Sequence, residues 1–357
     1  MAFIFVIPSV NDSHARHRIS EFIDKGYEVV VYGFGRSNRK TASDLPYQVH
    51  VLGVLTDASY KERIKLYYKE FKVLGKKHDP KKDVFYLCGL DIALFFHLIN
   101  PSFKYIYEEC DLTHTYTRLK TPLEWMDKWI IKKSLLTVIT SEGFIKYHFK
   151  DKTPSNICLV ENKLHPSILD YPVETKFFDK TNLSIGFVGA PRFKSVQSFI
   201  DIFCRTFPGF TFHIYGGPVP EEFEPLKKHT NCIFHGFFKN PDDLPGIYAS
   251  IDLVLSTYDV EFDNVRYAEP NKLYESIYFE TPIIVSTGTF LAEKVKRLGI
   301  GFEVDPLDEQ SVVNFVKGLS QEKLSCCQEQ ARSIDKRDLV SINDHLFERI
   351  EKVLQPS

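Results

Sequence analysis

The sequence predicts an α/β protein of two Rossmann-like domains that face each other across a cleft. Three observations carry this. Short, uniformly apolar segments of strand length alternate with amphipathic helical stretches, the signature of parallel sheets covered on both faces. The alternation runs twice, on either side of a stretch rich in proline and charge. And 357 residues, 43% of them hydrophobic, suffice for two full-sized cores.

Phe3–Ile7 is the first apolar run. Ala15, Ile19, Phe22 and Ile23 follow on one helical face. Gly26 stops that helix, and Glu28–Tyr32 is the next strand. Val84–Cys88, Tyr105–Tyr107, Thr137–Thr140 and Ile157–Val160 continue the series. Asn162–Thr181, with Pro166 and Pro172, breaks the rhythm and reads as a connector. A second series opens at Leu183. LSIGFVG is a strand ending in glycine, and Val196, Phe199, Ile200 and Phe203 fall at helical spacing. FHIYGG, CIFHG, DLVLST and PIIVS are further strands, each closing on a small or polar residue. The expected limits are a first domain over 1–165, a linker over 166–181, a second domain over 182–338 and a closing amphipathic helix within 339–357.

Composition narrows the function. A net charge of −2 gives no global pull toward nucleic acid. Seven cysteines without a CxxC pair fit neither a disulfide framework nor a zinc site, so a reducing compartment is expected. The N-terminus lacks a basic region and a small-residue cleavage site, and no apolar run approaches the ~18–20 residues of a membrane-spanning helix. The expected location is cytoplasmic, with any membrane contact peripheral. Within 61–82, Lys61, Lys65, Lys69, Lys72 and Lys76 recur at helical spacing beside Ile64, Tyr67, Tyr68, Phe71 and Leu74. The apolar set is assigned to the core, and the lysine stripe either to a solvated face or to an anionic membrane surface at the inner face of the plasma membrane.

In open parallel sheets ligands sit beyond the carboxyl ends of the strands. In the second half these positions hold Gly189-Ala190-Pro191-Arg192-Phe193-Lys194, Gly216-Gly217-Pro218, His235-Gly236-Phe237 and the loop Thr257–Asn271. Glycines allow close backbone approach, and the following helix N-termini are expected to offer free N–H groups to a diphosphate, with Arg192 and Lys194 adding charge. The same features also serve ordinary turns and solvated surface. The sharpest segment is Glu269-Pro270-Asn271-Lys272-Leu273-Tyr274-Glu275. Pro270 suits a helix start, Lys272 opposes the helix dipole and so calls for an anionic partner, and Glu275 shares its face. A surface Lys–Glu pair has the same spacing. No metal-ligand spacing appears, so no metal and no cofactor are expected.

These residues carry a resemblance. FVGAPRFKSVQSFI, HIYGGP, NCIFHGFF, DDLPGIYASIDLVLST, EPNKLYESIYFETPIIVS and LGIGFEVDP resemble, in order and spacing, the C-terminal domain of the retaining family-four (group 1) glycosyltransferases of the GT-B fold. GYEVVVYG, YIYEECDL and LLTVITSEGF are similar to elements of its N-terminal domain. The resemblance implies that Glu275 binds the donor ribose. It implies a donor site of Lys272, Asn271, Arg192, Lys194, Gly189, Gly217, His235 and Phe237, and a final helix that crosses back to the first domain. Two positions depart from the pattern. Tyr267 stands where a donor-sugar Glu is usual, leaving Glu269, Glu261 or Asp263 as substitutes, and Cys110 stands at the acceptor-side His.

The activity so implied is metal-independent, retaining hexosyl transfer from a nucleotide-sugar to a saccharide or lipid-linked acceptor in surface polysaccharide synthesis. In a retaining reaction the leaving phosphate can take the acceptor proton. In an inverting one a first-domain carboxylate must do so, with Asp111, Glu108 and Glu109 as candidates, though carboxylates there also suit helix capping or a solvated loop. Asp111, Glu109 and Glu269 form the catalytic set. Two other readings stay open: a sugar-nucleotide epimerase, which needs no acceptor, and a non-catalytic relative that binds donor or partner.

Overall fold

The computed structural model describes residues 1–36, 46–55, 60–117, 119–150, 152–174, 178 and 180–355. Residues 175–177 and 179 of the expected linker, and 356–357 of the closing segment, lie outside the described residues. The chain divides into two compact units, Met1–Val160 with Asn343–Ser357, and Glu161–Ile342.

Unit 1 runs β1 (Ala2–Ile7), α1 (Ser13–Asp24), β2 (Glu28–Arg36), β3 (Val49–Leu55), α2 (Tyr60–Lys77), β4 (Val84–Cys88), α3 (Leu90–Ile99), β5 (Lys104–Glu109), α4 (Lys120–Lys133), β6 (Leu136–Ile139), α5 (Glu142–Phe149) and β7 (Ile157–Leu159). All pairings are parallel, in the order β3-β2-β1-β4-β5-β6-β7. The central strands β1 and β4 are buried along their whole length, which is why they read as unbroken apolar runs. Edge strand β3 is half-exposed and carries Gly53, so it lacks that signal and the sequence reading passed over it. In α2 the buried residues are Tyr67, Phe71 and Leu74. Ile64 and Tyr68, expected in the core, are instead 40% and 57% exposed beside the lysines.

Unit 2 runs β8 (Ser184–Val188), α6 (Lys194–Thr206), β9 (Thr211–Tyr215), β10 (Cys232–Gly236), α7 (Leu244–Ala249), β11 (Leu253–Ser256), α8 (Asp263–Tyr267), α9 (Asn271–Tyr278), β12 (Ile283–Ser286), α10 (Phe290–Leu298), β13 (Gly301–Val304), α11 (Glu309–Lys317) and α12 (Gln321–Ser333). Its parallel sheet has the order β10-β9-β8-β11-β12-β13, with the direction of strand addition reversing between β8 and β11. Two apolar clusters form its core, one gathered around α9 and one around α6. Part of the stretch read as a connector docks here: Leu164 N–H donates to Leu339 O (3.0 Å), Ile168 is buried, and Tyr278 OH donates to Ile168 O (2.6 Å).

The last helix, α13 (Asp344–Leu354), belongs to unit 1. It buries Leu346, Phe347 and Ile350, and the Phe347 ring meets Phe22 at 5.1 Å. Its outer edge is held by a Lys25–Asp344 ion pair and by Tyr27 OH donating to Glu351 (3.2 Å).

Candidate functional site

In unit 2 the carboxyl ends of β8, β9 and β10 come together through glycines. Gly189 and Gly216 both have φ of 127°, a region that side chains rarely enter. Gly189 N–H donates to Tyr215 O (2.8 Å) and Gly216 N–H to Gly236 O (2.6 Å), so the two turns are laced to their neighbours. A Cβ on Gly216 would lie 2.3 Å from Gly189 O, so the close approach requires glycine. Beside them Phe237 is 81% exposed, and its ring is within 3.4 Å of where a Cβ on Gly217 would be. His235 stacks on Tyr215 with ring centroids 4.1 Å apart and shares a 2.9 Å hydrogen bond with His213. Burial lowers both imidazoles below their ordinary value.

Helix α9 faces this glycine floor. Pro270 precedes it, Asn271 is exposed at its first turn, and among the described residues no side chain caps its N-terminus. The Lys272 ammonium stands 4.7 Å from the Phe187 ring centroid and 3.4 Å from a Cβ built on Gly189. It has no ion-pair partner among the described residues. Three residues on, Glu275 is buried and its Oε2 accepts from Tyr248 OH (2.7 Å). Burial raises its carboxyl above the usual range, against the Tyr248 hydrogen bond and the Lys272 charge. The structure thus brings together Gly189, Gly217, Phe237 and His235 at the strand ends, and Lys272 with Glu275 on one helix face.

Other expectations are corrected. The α6 N-terminus is not free for phosphate: Asp259 accepts from Lys194 N–H (3.2 Å) and Ser195 N–H (2.8 Å), so a carboxylate of this chain already satisfies those donors. Arg192 and Lys194 are exposed, and Arg192 lies over the Phe193 ring. Neither is bonded to Lys272 or Glu275 among the described residues. Glu269 is not open to a sugar. It is 2% exposed and ion-paired with Lys294, which also donates to Glu161 (2.6 Å). Tyr248, Asp259 and Lys294 escaped the sequence reading because each meets its partner from more than ten residues away.

In unit 1, Glu108 and Glu109 end β5 and point to different buried surroundings. Glu108 Oε1 accepts from Arg18 (3.3 and 3.2 Å) and lies 3.0 Å from His14 Nε2. Burial opposes its charge, but the Arg18 guanidinium and His14 hold the carboxyl down at about 2. His14 also loses solvation, and Glu108 still raises its imidazole above the ordinary value. With a side chain 28% exposed, His14 is a titratable group at the carboxyl end of the sheet that the sequence did not single out.

Glu109 does not face an acceptor. It is 1% exposed and contacts His148 Nε2 at 2.9 and 3.0 Å. Burial pushes its carboxyl up to about 7 and lowers the His148 imidazole below its ordinary value. Asp111, two residues on, is exposed.

The chain is similar to known proteins in sequence and in fold. Residues 182–322 match the family model described as glycosyl transferases group 1. The chain is 22% identical to the succinoglycan biosynthesis protein ExoL of Rhizobium meliloti (strain 1021), over 95% of this chain and 91% of that protein. It is similar to Anabaena Alr3699/HepE in complex with UDP, with 14% identity, a TM-score of 0.71, and coverage of 99% of this chain and 100% of that one. The same Anabaena protein is known in complex with UDP-glucose. Sucrose-phosphate synthase from Thermosynechococcus elongatus has a TM-score of 0.70 at 13% identity, covering 99% of both chains. At these identities the structural likeness is one of fold. With the family match over residues 182–322 and the fold of both units, this chain is similar to the group 1 glycosyltransferases of the GT-B fold.

Proposed function

We propose that the chain transfers a hexosyl group from a UDP-sugar to a lipid-linked saccharide in the synthesis of a surface polysaccharide, with retention and without a metal at the reacting centre. The observation that carries the reading is the first turn of α9. It joins a cation above a glycine floor, without an ion-pair partner among the described residues, to a buried carboxylate three residues on. A nucleoside diphosphate needs both. Lys272 and the uncapped α9 amides neutralise the diphosphate as the bond to the sugar C1 breaks, and Glu275 accepts from the ribose hydroxyls. Exposed Phe237 offers a face for the base. The choice of UDP follows the ligands of the Anabaena protein, and the polysaccharide setting follows the name of the Rhizobium relative.

On the acceptor side, Asp111 and the Glu108-backed His14 are the groups open to a hydroxyl. In a retaining step the acceptor proton passes to the departing phosphate, so these residues orient rather than abstract. A peripheral membrane contact through α2 accords with the substrate. Lys61, Lys65, Lys69, Lys72 and Lys76 are exposed, interleaved with exposed Ile64, Tyr68 and Val73. The test of the donor assignment is thermal stabilisation by a panel of UDP-, GDP- and dTDP-sugars. UDP-sugars should raise the melting temperature and the others should not; no shift with any nucleotide-sugar would sink the assignment.

A further inference from the structure

Four ionisable side chains meet inside unit 1, away from the glycine-floored site. Glu109 comes from the end of β5, His114 from the 3-10 turn Thr113–Tyr116, Asp127 from α4 and His148 from α5. Asp127 is fully buried, Glu109 is 1% exposed, His114 2% and His148 6%. No Lys or Arg is bonded or ion-paired to either carboxylate among the described residues.

Three of the four donor atoms converge, and His148 lies beside two of them. Glu109, His114 and Asp127 each offer one ligand atom within 4.8 Å of the others. His148 Nε2 lies 2.9 Å from Glu109 Oε2 and 3.8 Å from Asp127 Oδ2, and His114 Nδ1 lies 3.5 Å from Asp127 Oδ2. A tetrahedral ion with bonds of about 2.0–2.2 Å sets its ligand atoms roughly 3.4 Å apart, inside this spread.

A second observation points to a missing partner. Among the described residues neither ring nitrogen of His114 has a hydrogen-bond partner, and neither has Asp127 Oδ2, although all three atoms are buried. Buried polar atoms without partners are rare enough to call for an unseen ion or water. The other Asp127 oxygen is fixed, since Oδ1 accepts from Tyr107 OH (3.0 Å). A phenol that holds one oxygen and turns the other inward is the outer-shell support a metal-binding carboxylate needs.

We infer that unit 1 binds one divalent transition-metal ion, zinc by its ligand chemistry, between Glu109, His114, Asp127 and His148. Two imidazoles and two carboxylates suit such an ion, whose two charges neutralise the carboxylates. The site is closed, so the ion is structural. Glu109 and His114 bracket Asp111, and a metal joining them fixes the loop that carries it. The ligands lie 5, 13 and 21 residues apart along the chain, a spacing that matches no metal motif and hides the site from sequence reading.

The test is metal analysis of the full chain purified without chelator, then stripped and reloaded with zinc or cobalt(II). The expected result is about one equivalent of zinc, a melting temperature that falls on stripping and returns with zinc, and tetrahedral cobalt absorption in the visible. His114→Ala and Asp127→Asn should each lower bound metal about tenfold, while His165→Ala, at an exposed histidine in unit 2, should not. If these variants fail to fold, the wild-type zinc content and cobalt spectrum still decide. Wild type with under about a tenth of an equivalent, no shift with zinc and no cobalt spectrum would overturn the inference and leave a carboxyl pair sharing a proton.

Discussion

Glu275 and Lys272 sit on one turn of α9, yet they should fail in different ways. Charge-assisted hydrogen bonds contribute roughly 1.5–3 kcal/mol each, so Glu275→Ala should weaken UDP binding at least about tenfold in calorimetry. Lys272→Ala should weaken UDP by about tenfold or more and uridine by under about twofold, because only UDP carries the phosphates. Equal losses for UDP and uridine would make the lysine structural. Glu108 has a different signature. Its folded carboxyl is depressed, so its contribution is present above the unfolded value of 4.5 and is lost as pH falls toward about 2. His14 is raised, so its contribution is full below 6.5 and declines as pH rises through its folded value. Glu108→Gln should therefore cost on the order of 3 kcal/mol near pH 6, and the gap to wild type in urea unfolding should narrow below about pH 4. A gap that stays constant down to pH 3 would show that Glu108 is not paired as described.

At the scale of elements, α6 and α9 start differently. Asp259 caps α6 from the loop after β11, while α9 starts uncapped behind Pro270. Asp259→Ala should then lower stability by about 1 kcal/mol, the worth of an N-cap, and leave UDP affinity unchanged. A tenfold loss of affinity would instead mean that α6 serves the donor. For α2 the expectation is binding to anionic vesicles that weakens with salt, since each basic residue near such a surface adds roughly 1 kcal/mol. Replacing Lys65, Lys69 and Lys72 by Glu should abolish cosedimentation. Wild type that ignores anionic vesicles at low salt would favour a soluble acceptor.

Across the whole molecule, what was legible follows from what leaves a local trace. Buried central strands such as β1, β4, β8 and β11 read as apolar runs because both their faces are covered. The glycine turns and the Lys272–Glu275 spacing also lie within short windows of sequence. Contacts that close over long separations left no such trace. Asp259 on α6, Lys294 on Glu269, Arg18 on Glu108, and the convergence of Glu109 with His114, Asp127 and His148 had to be seen in three dimensions. Ile64 and Tyr68 illustrate the opposite error: helical spacing assigned them to the core, but the buried stripe of α2 is narrower than a full apolar face.

The central claim is that unit 2 holds the donor for transfer to an acceptor. Its most direct test is release of UDP from a UDP-hexose by the full chain, with and without a lipid-linked saccharide extract and with Lys272→Ala in parallel. The account predicts UDP release that depends on the extract, a product that carries the sugar, and loss of both in the variant. Conversion of the donor to its epimer without an acceptor, or no turnover by the wild type with any extract, would contradict it.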